Sequence, residues 1–282
     1  MYFQYVVIIK TALYLTFLFA STFQSQTAVT GPVINADFPD PSILKVDGMS
    51  YAFSTNSGGK NIQVATSLDG ETWVLTDIDA LPVGSWATTG MTWAPDVIDR
   101  GDGTFVMYYA AHSISPDTQS SEGGAIDPAG FIDDDSSRWA VYKVDGNWLG
   151  GGGPCGNADG SHPTPIRLQQ FASDAITPIG DPITILNRNA ADGPLIEAPS
   201  LIKRDGIYVV FFSSNCFNTD LYDISYATAT SITGPYTKAA QPLLITGDDG
   251  LTAPGGADSI PDGSMIVFHA NIPSGRGMLR LL

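Results

Sequence analysis

The sequence predicts an all-β fold, a five-bladed β-propeller, on three observations. Helical periodicity is almost absent. Short runs of β-branched and aromatic residues alternate with clusters of Gly, Pro, Asn and Asp, as strands alternate with tight turns. The runs also recur in a fixed order: a short apolar stretch, an Asp-rich turn, then a longer strand-like segment.

Taken in order, SILKVDG precedes SYAFST (50–55), and DVIDRGDG precedes FVMYYA (105–110). AGFIDDDSS precedes RWAVYKV (138–144), SLIKRDG precedes IYVVFFSS (207–214), and DSIPDG precedes SMIVFHA (264–270). Strand, tight turn and strand make a hairpin, and Asp-Gly is among its strongest signals. The turn aspartates Asp47, Asp102, Asp134, Asp205 and Asp262 are separated by 55, 32, 71 and 57 residues. That spacing is near the length of a four-stranded blade, and the uneven gaps are read as loops of variable length. Residues 145–170 are read as the largest insertion, a surface loop. A β-sandwich is the competing arrangement; the constant hairpin order favours the propeller. Only 13 residues follow His269, too few to complete a last blade. Either the segment Val29–Asn35 closes it or the closing strand is missing.

Residues 1–26 are read as a secretory signal peptide and 27–282 as a single propeller domain. TALYLTFLFA (11–20) has the length of a signal-peptide apolar core, with Lys10 before it and small or polar residues after it. Cleavage between Ala20 and Thr27 is expected, and the protein is expected to be extracellular. The alternative, an uncleaved anchor, is weakened because Lys10 interrupts the apolar stretch, whereas a span needs about 20 apolar residues.

Hydrophobic residues make up 43% of the 282 residues, enough for a sizeable core, which excludes a disordered chain. With 13 Lys+Arg against 29 Asp+Glu, the net charge is −16. No basic cluster is present to neutralise phosphates, so nucleic acid is not an expected partner, nor is a membrane after signal removal. A neutral polysaccharide or oligosaccharide is compatible, and a monomer is expected. Cys155 and Cys216 can form one bridge in a secreted protein or stand as two thiols.

Just upstream of the turns lies a set of acids. Asp40 precedes Asp47 by seven residues, Asp96 precedes Asp102 by six, Asp127 precedes Asp134 by seven, and Glu197 precedes Asp205 by eight. The fifth repeat carries Gly255, Gly256 and Ala257 there instead. The innermost strands of a propeller open on one face, so this register places four carboxylates around one axial pocket. Each acid has Pro and apolar neighbours, as in DFPDPS, TWAPDV, GAIDPAG and LIEAPS. An apolar setting near other carboxylates favours the protonated form, which suits Glu197 to proton donation. Two carboxyls of opposed tuning across a pocket are what glycosidic hydrolysis requires. The bland alternative makes these units strand-entry turns, with Asp satisfying backbone amides.

Together, FPDPS (38–42), WAPDV (93–97), AIDP (125–128), IEAPS (196–200) and SYATATSITGPY (225–236) resemble glycoside hydrolase family 43 over about residues 31–280. The resemblance implies a five-bladed propeller that degrades arabinan or xylan with inversion. It implies that Asp40 is the general base, Asp127 the acid that tunes and orients the proton donor, and Glu197 the general acid. It also places Asp96 and Trp93 in a sugar subsite, Phe38 as an apolar wall and Arg276 near the sugar. Where many members carry Gly-His in the fifth blade, this chain reads APGGADSI (253–260). No axial calcium or other metal, and no cofactor, is therefore expected, and His269 is read as a core residue or one behind the site.

Other signals are discounted. Gly151–Gly156 matches GxGxxG but contains Pro154 and opens no helix. Asp133–Asp135 lacks the ligand spacing of a calcium loop. Trp73, Trp86, Trp139 and Trp148 are read as packing. The expected activity is that of an α-L-arabinofuranosidase or exo-arabinanase. An endo-1,5-α-L-arabinanase, a β-xylosidase and a non-catalytic sugar-binding propeller are the alternatives; a related fructan hydrolase is disfavoured because its Asn-Asp-Pro-Asn motif is absent.

Overall fold

The computed structural model describes residues 29–81, 87–113, 121–150, 155–156 and 161–282. The expected signal segment lies outside them, as do Trp86 and part of the stretch matching GxGxxG. Among the described residues the regular structure is strand, with a few short 3₁₀ turns. No helix there is long and apolar enough to cross a membrane.

Strand β1 (Val29–Ile34) belongs to the last sheet. The first sheet has the order β2 (Ser42–Val46), β3 (Met49–Ser54), β4 (Gln63–Ser67) and β5 (Val74–Asp79). A two-stranded sheet follows, of β6 (Ala87–Asp99) and β7 (Phe105–Ser113). The next holds β8 (Ala125–Ile132), β9 (Arg138–Val144), β10 (Ile166–Phe171) and β11 (Pro178–Leu186). Then come β12 (Ile196–Arg204), β13 (Ile207–Ser214), β14 (Asp223–Ala229) and β15 (Thr237–Lys238). The last sheet contains β16 (Gly255–Ser259), β17 (Ile266–Ile272) and β18 (Gly275–Leu281), and β1 completes it by pairing antiparallel with β18. The N-terminal segment thus closes the last sheet.

All five expected hairpins form, as β2–β3, β6–β7, β8–β9, β12–β13 and β16–β17. At Asp47-Gly48 and Asp205-Gly206 both turn residues have positive φ, as a two-residue type I′ hairpin requires. The insertion expected at 145–170 is only partly loop, because Ile166–Phe171 is the third strand of its sheet. The short gap of 32 residues between Asp102 and Asp134 is more than a loop difference. It falls on β6–β7, the sheet with two strands among the described residues.

The innermost strands pack in a closed cycle: β2 on β6, β6 on β8, β8 on β12, β12 on β16, and β16 back on β2. Apolar clusters join neighbouring sheets. One cluster, including Phe131, Val141, Ile196 and Phe212, joins the sheets of β8 and β12. Burying a side chain of this size contributes roughly 1.5–3 kcal/mol. This is a β-propeller, and its axis is where the acids gather.

Candidate active site

The axial strands share one local device. Asp40, Ala94, Asp127, Ala198 and Gly256 all have positive φ, between 45° and 58°. In four of the five the next residue is proline, Pro41, Pro95, Pro128 or Pro199; in the fifth it is Ala257. Four of these stretches break the ladder register, between Trp93 and Asp96, Ile126 and Ala129, Glu197 and Ser200, and Gly255 and Asp258. A left-handed non-glycine residue costs about 1–2 kcal/mol, so the conformation must be held. Four of the five backbone N–H groups donate to a side chain of the preceding sheet. Asp40 donates to His269 Nδ1 at 3.0 Å, and Ala94 to Thr55 Oγ1 at 2.8 Å. Ala198 donates to Asp127 Oδ2 at 3.0 Å, and Gly256 to Ser213 Oγ at 2.9 Å.

This device corrects the register read from sequence. Asp40 and Asp127 are equivalent, but Glu197 lies one residue before its bulge and Asp96 two residues after. The acids therefore form two layers. Asp40, Asp127 and Glu197 line a cavity of about 680 Å³ together with Trp93, Lys143, Asp145, Trp148, Phe217 and Arg276. Asp96 and Asp258 lie below it, on a narrow space of about 40 Å³ whose lining Asp40 and Asp127 share, and on another of about 200 Å³ between the sheets. Asp96 is buried, accepts the Gly130 N–H at 2.6 Å and does not line the larger cavity. Trp93 and Arg276, expected beside it, do line that cavity. Phe38 is 0% exposed and packs with Ile43, Ala52, Trp73 and Met265 in the core. It forms no wall of the cavity, because its ring turns toward the sheets while Asp37 and Pro39 on either side line the space.

Asp40 is pushed above the usual carboxylate range by burial. Against that, Thr55 Oγ1 donates to its Oδ2 at 2.7 Å and Arg276 adds favourable charge. Burial also drives Asp127 up, to about 7, with the Glu197 charge adding to it and Lys143 opposing it. Glu197 does not sit in the apolar setting expected of it. Lys143 Nζ lies 2.9 Å from its Oε2, and 3.2 Å from Asp145 Oδ1. Burial alone would lower the Lys143 pKa, but Glu197, Asp127 and Asp145 together raise it, so it stays cationic. Arg276 stacks on Phe217, its guanidinium carbon 4.7 Å from the ring centroid, and its backbone N–H donates to Asp37 Oδ1.

His269 is 1% exposed and lies behind Asp40, stacked on Tyr222 at 5.9 Å between ring centroids. Burial pulls its pKa down to about 3, helped by the Arg276 charge; it is neutral and accepts the Asp40 N–H. Two glycines make room for this pair. A Cβ on Gly256 would come within 2.8 Å of His269 Nδ1, and one on Gly255 within 1.9 Å of the Tyr222 ring. His269 Nδ1 is engaged by the Asp40 N–H, and among the described residues no group of three or more His, Cys, Asp or Glu is arranged to hold a metal ion. No step is derived through one.

Sequence reasoning missed Lys143, Asp145 and Trp148. Trp148, read as packing, is 54% exposed at the cavity wall, while Trp73 and Trp139 do pack as expected. The one visible hint of Lys143 was a lysine inside an apolar strand of a chain with 13 Lys and Arg in all. Cys155 and Cys216 form a disulfide, which ties the segment after Trp148 to the residue next to Phe217.

The sequence pattern of glycosyl hydrolases family 43 matches residues 29–121 and 112–280. The chain belongs to that family. As a family 43 glycoside hydrolase it is an enzyme acting on O-glycosyl bonds. It is 26% identical to a β-D-galactofuranosidase of Aspergillus niger, over 88% of this chain and 78% of that one. It is 25% identical to a probable arabinan endo-1,5-α-L-arabinosidase C of Aspergillus flavus, over 83% of this chain and 82% of that one. Among solved structures it superposes on a thermostable family-43 glycoside hydrolase with a TM-score of 0.72 and 26% identity, covering 90% of this chain and 91% of that one. An exo-1,5-α-L-arabinanase from a bovine ruminal metagenomic library gives a TM-score of 0.63 at 22% identity, over 92% and 94% of the two chains, and attests the fold.

Proposed function

We propose that the chain is a secreted, monomeric, five-bladed family 43 enzyme that inverts configuration as it releases arabinose, an α-L-arabinofuranosidase or exo-arabinanase. The observation that carries this reading is the convergence of Asp40, Asp127 and Glu197 on one cavity, with two buried or stacked cations beside them. The ring of five inner strands supports five blades, with β6–β7 as the inner part of one. The disulfide and the apolar N-terminal segment support secretion.

Asp40, held by Thr55 and Arg276, takes a proton from the attacking water, and burial strengthens it as a base. Glu197 gives a proton to the leaving oxygen. Asp127, which holds its proton to about pH 7, neighbours Glu197 and binds the N–H of Ala198 one residue further on, so it tunes and orients the donor. Trp93 and Trp148 offer apolar faces to the sugar. The lining of the cavity by both Trp148 and Phe217, on either side of the bridge, supports exo action. An endo-arabinanase is the second reading, favoured by the name of the Aspergillus flavus relative.

Product analysis on linear arabinan, branched arabinan, arabinoxylan and an aryl galactofuranoside tests this, with NMR following the anomer first formed. Arabinose of inverted configuration as the sole early product is expected. Short oligomers would make it an endo-arabinanase; xylose or galactose would reassign the sugar. Binding without turnover would make it a sugar-binding propeller.

A further inference from the structure

Lys143 is 1% exposed in the interior of β9, opposite Ile126 of β8 and thus beside Asp127. Placing an ammonium group in such a position is costly unless it is paired. Its pairing is lopsided: Glu197 Oε2 is the nearer partner at 2.9 Å, Asp145 Oδ1 the further at 3.2 Å, and Asp127 adds its charge from β8. None of the family motifs carries this lysine. The groups facing Glu197 from the other elements are Asp127 from β8, Tyr222 from the segment before β14, and His269 from β17. Burial drives the Tyr222 hydroxyl well above its usual range and keeps His269 neutral. Lys143 is therefore the fixed positive charge against Glu197.

We propose that Lys143 is a positioning residue for the proton donor: it clamps Oε2 of Glu197, leaves Oε1 to meet the leaving oxygen, and sets the pH at which the donor loses its proton. The inference rests on the reading of Glu197 as the acid. In the free enzyme the clamp fixes the carboxyl. As the glycosidic bond breaks, the proton passes from Glu197 to the leaving oxygen, and the carboxylate left behind is met by a charge already in place. A desolvated cation at that distance acts far more strongly than one in water, and it requires no reorganisation at the moment of transfer. The help is largest where the leaving group most needs its proton.

The experiment is a pH–rate profile of Lys143→Met and Asp145→Asn, on a glycoside with a poor leaving group and on a nitrophenyl glycoside. An adjacent cation favours the ionised carboxylate, so losing it delays ionisation. In Lys143→Met the alkaline limb moves up by about one to two pH units, and kcat falls on the poor leaving group while the nitrophenyl glycoside is spared. Asp145→Asn frees Lys143 for Glu197 and moves the limb the opposite way. Lys143→Arg retains the wild-type limb. Calorimetric binding of an arabino-oligosaccharide shows that each variant is folded. An unmoved limb in folded Lys143→Met makes the lysine structural and overturns the inference. Where Lys143→Met fails to fold, an unmoved limb in Asp145→Asn overturns it. Glu197→Gln run alongside separates the two failures: its full activity removes the acid and the inference with it, whereas its inactivity beside an unmoved limb removes the inference alone.

Discussion

Two layers of acids lie on different axial strands, two or three residues apart in register, and only one of them lines the large cavity. The upper layer, Asp40, Asp127 and Glu197, faces about 680 Å³ of open cavity. The lower, Asp96 and Asp258, meets only smaller spaces of about 40 and 200 Å³. Burial pushes Asp40, Asp127, Asp96 and Asp258 all upward, so a raised carboxyl does not by itself mark the reaction centre. The partners do. The upper acids meet Lys143 and Arg276 and have room for a sugar. The lower ones meet uncharged donors, namely the Gly130 and Ile43 N–H groups and the Ser200 hydroxyl. A charge that must come and go needs a counter-charge beside it, whereas a proton that stays put needs only hydrogen bonds.

That contrast can be broken most directly at Glu197. Glu197→Gln keeps the shape and removes the proton, and turnover of unactivated glycosides should fall by about 10²–10⁴-fold with substrate still bound; steady-state kinetics beside calorimetry would read both. Asp127→Asn should have a smaller effect, about tenfold or 1.4 kcal/mol. Above about pH 7, where Asp127 has lost its proton, it is a negative neighbour whose removal favours the ionised form of Glu197, so the alkaline limb should move to lower pH; a limb in its original place would leave Asp127 a backbone anchor only. The lower layer should respond in stability and not in rate. Asp96 is pushed up to about 8, first by burial and then by the Asp258 charge. A carboxyl raised on folding binds its proton more tightly in the native state, so stability is full at low pH and declines as pH climbs from about 4 toward 8. Asp96→Asn should lessen that decline and gain about 1–3 kcal/mol at pH 8 with kcat nearly unchanged. Thermal melts at pH 5 and pH 8 would show it, and a large loss of kcat would instead merge the two layers.

Where strands are concerned, the sequence was readable almost to the residue: the runs 138–144 and 207–214 coincide with β9 and β13. Alternation and turn chemistry are local, and local signals survive in one dimension. The acids were legible through their motifs, but their layers were not. Counting back from the turn aspartate assumes turns of constant length, and the β6–β7 turn, closed from the Arg100 N–H to the Thr104 carbonyl, is longer than the two-residue turn at Asp47-Gly48. The bulge at each axial proline then decides which side chain faces the cavity. Phe38 was misplaced for the same reason, since adjacent residues on an extended segment point opposite ways. Lys143 escaped because the partner that gives it meaning lies 54 residues along the chain.

The seam between β1 and β18 joins Thr30 to Arg280, 250 residues apart, through a 2.8 Å hydrogen bond. On a ribosome adding 5–20 residues per second, β1 waits about 10–50 s for its partner. During that time its edge is exposed, and Pro32, which has no N–H to offer, interrupts the row of donors that another chain could zip onto. Arg276, which lines the cavity, arrives on that same final strand. The ring therefore stays an open arc until β18 is made, and that strand both shuts the ring and completes the cavity.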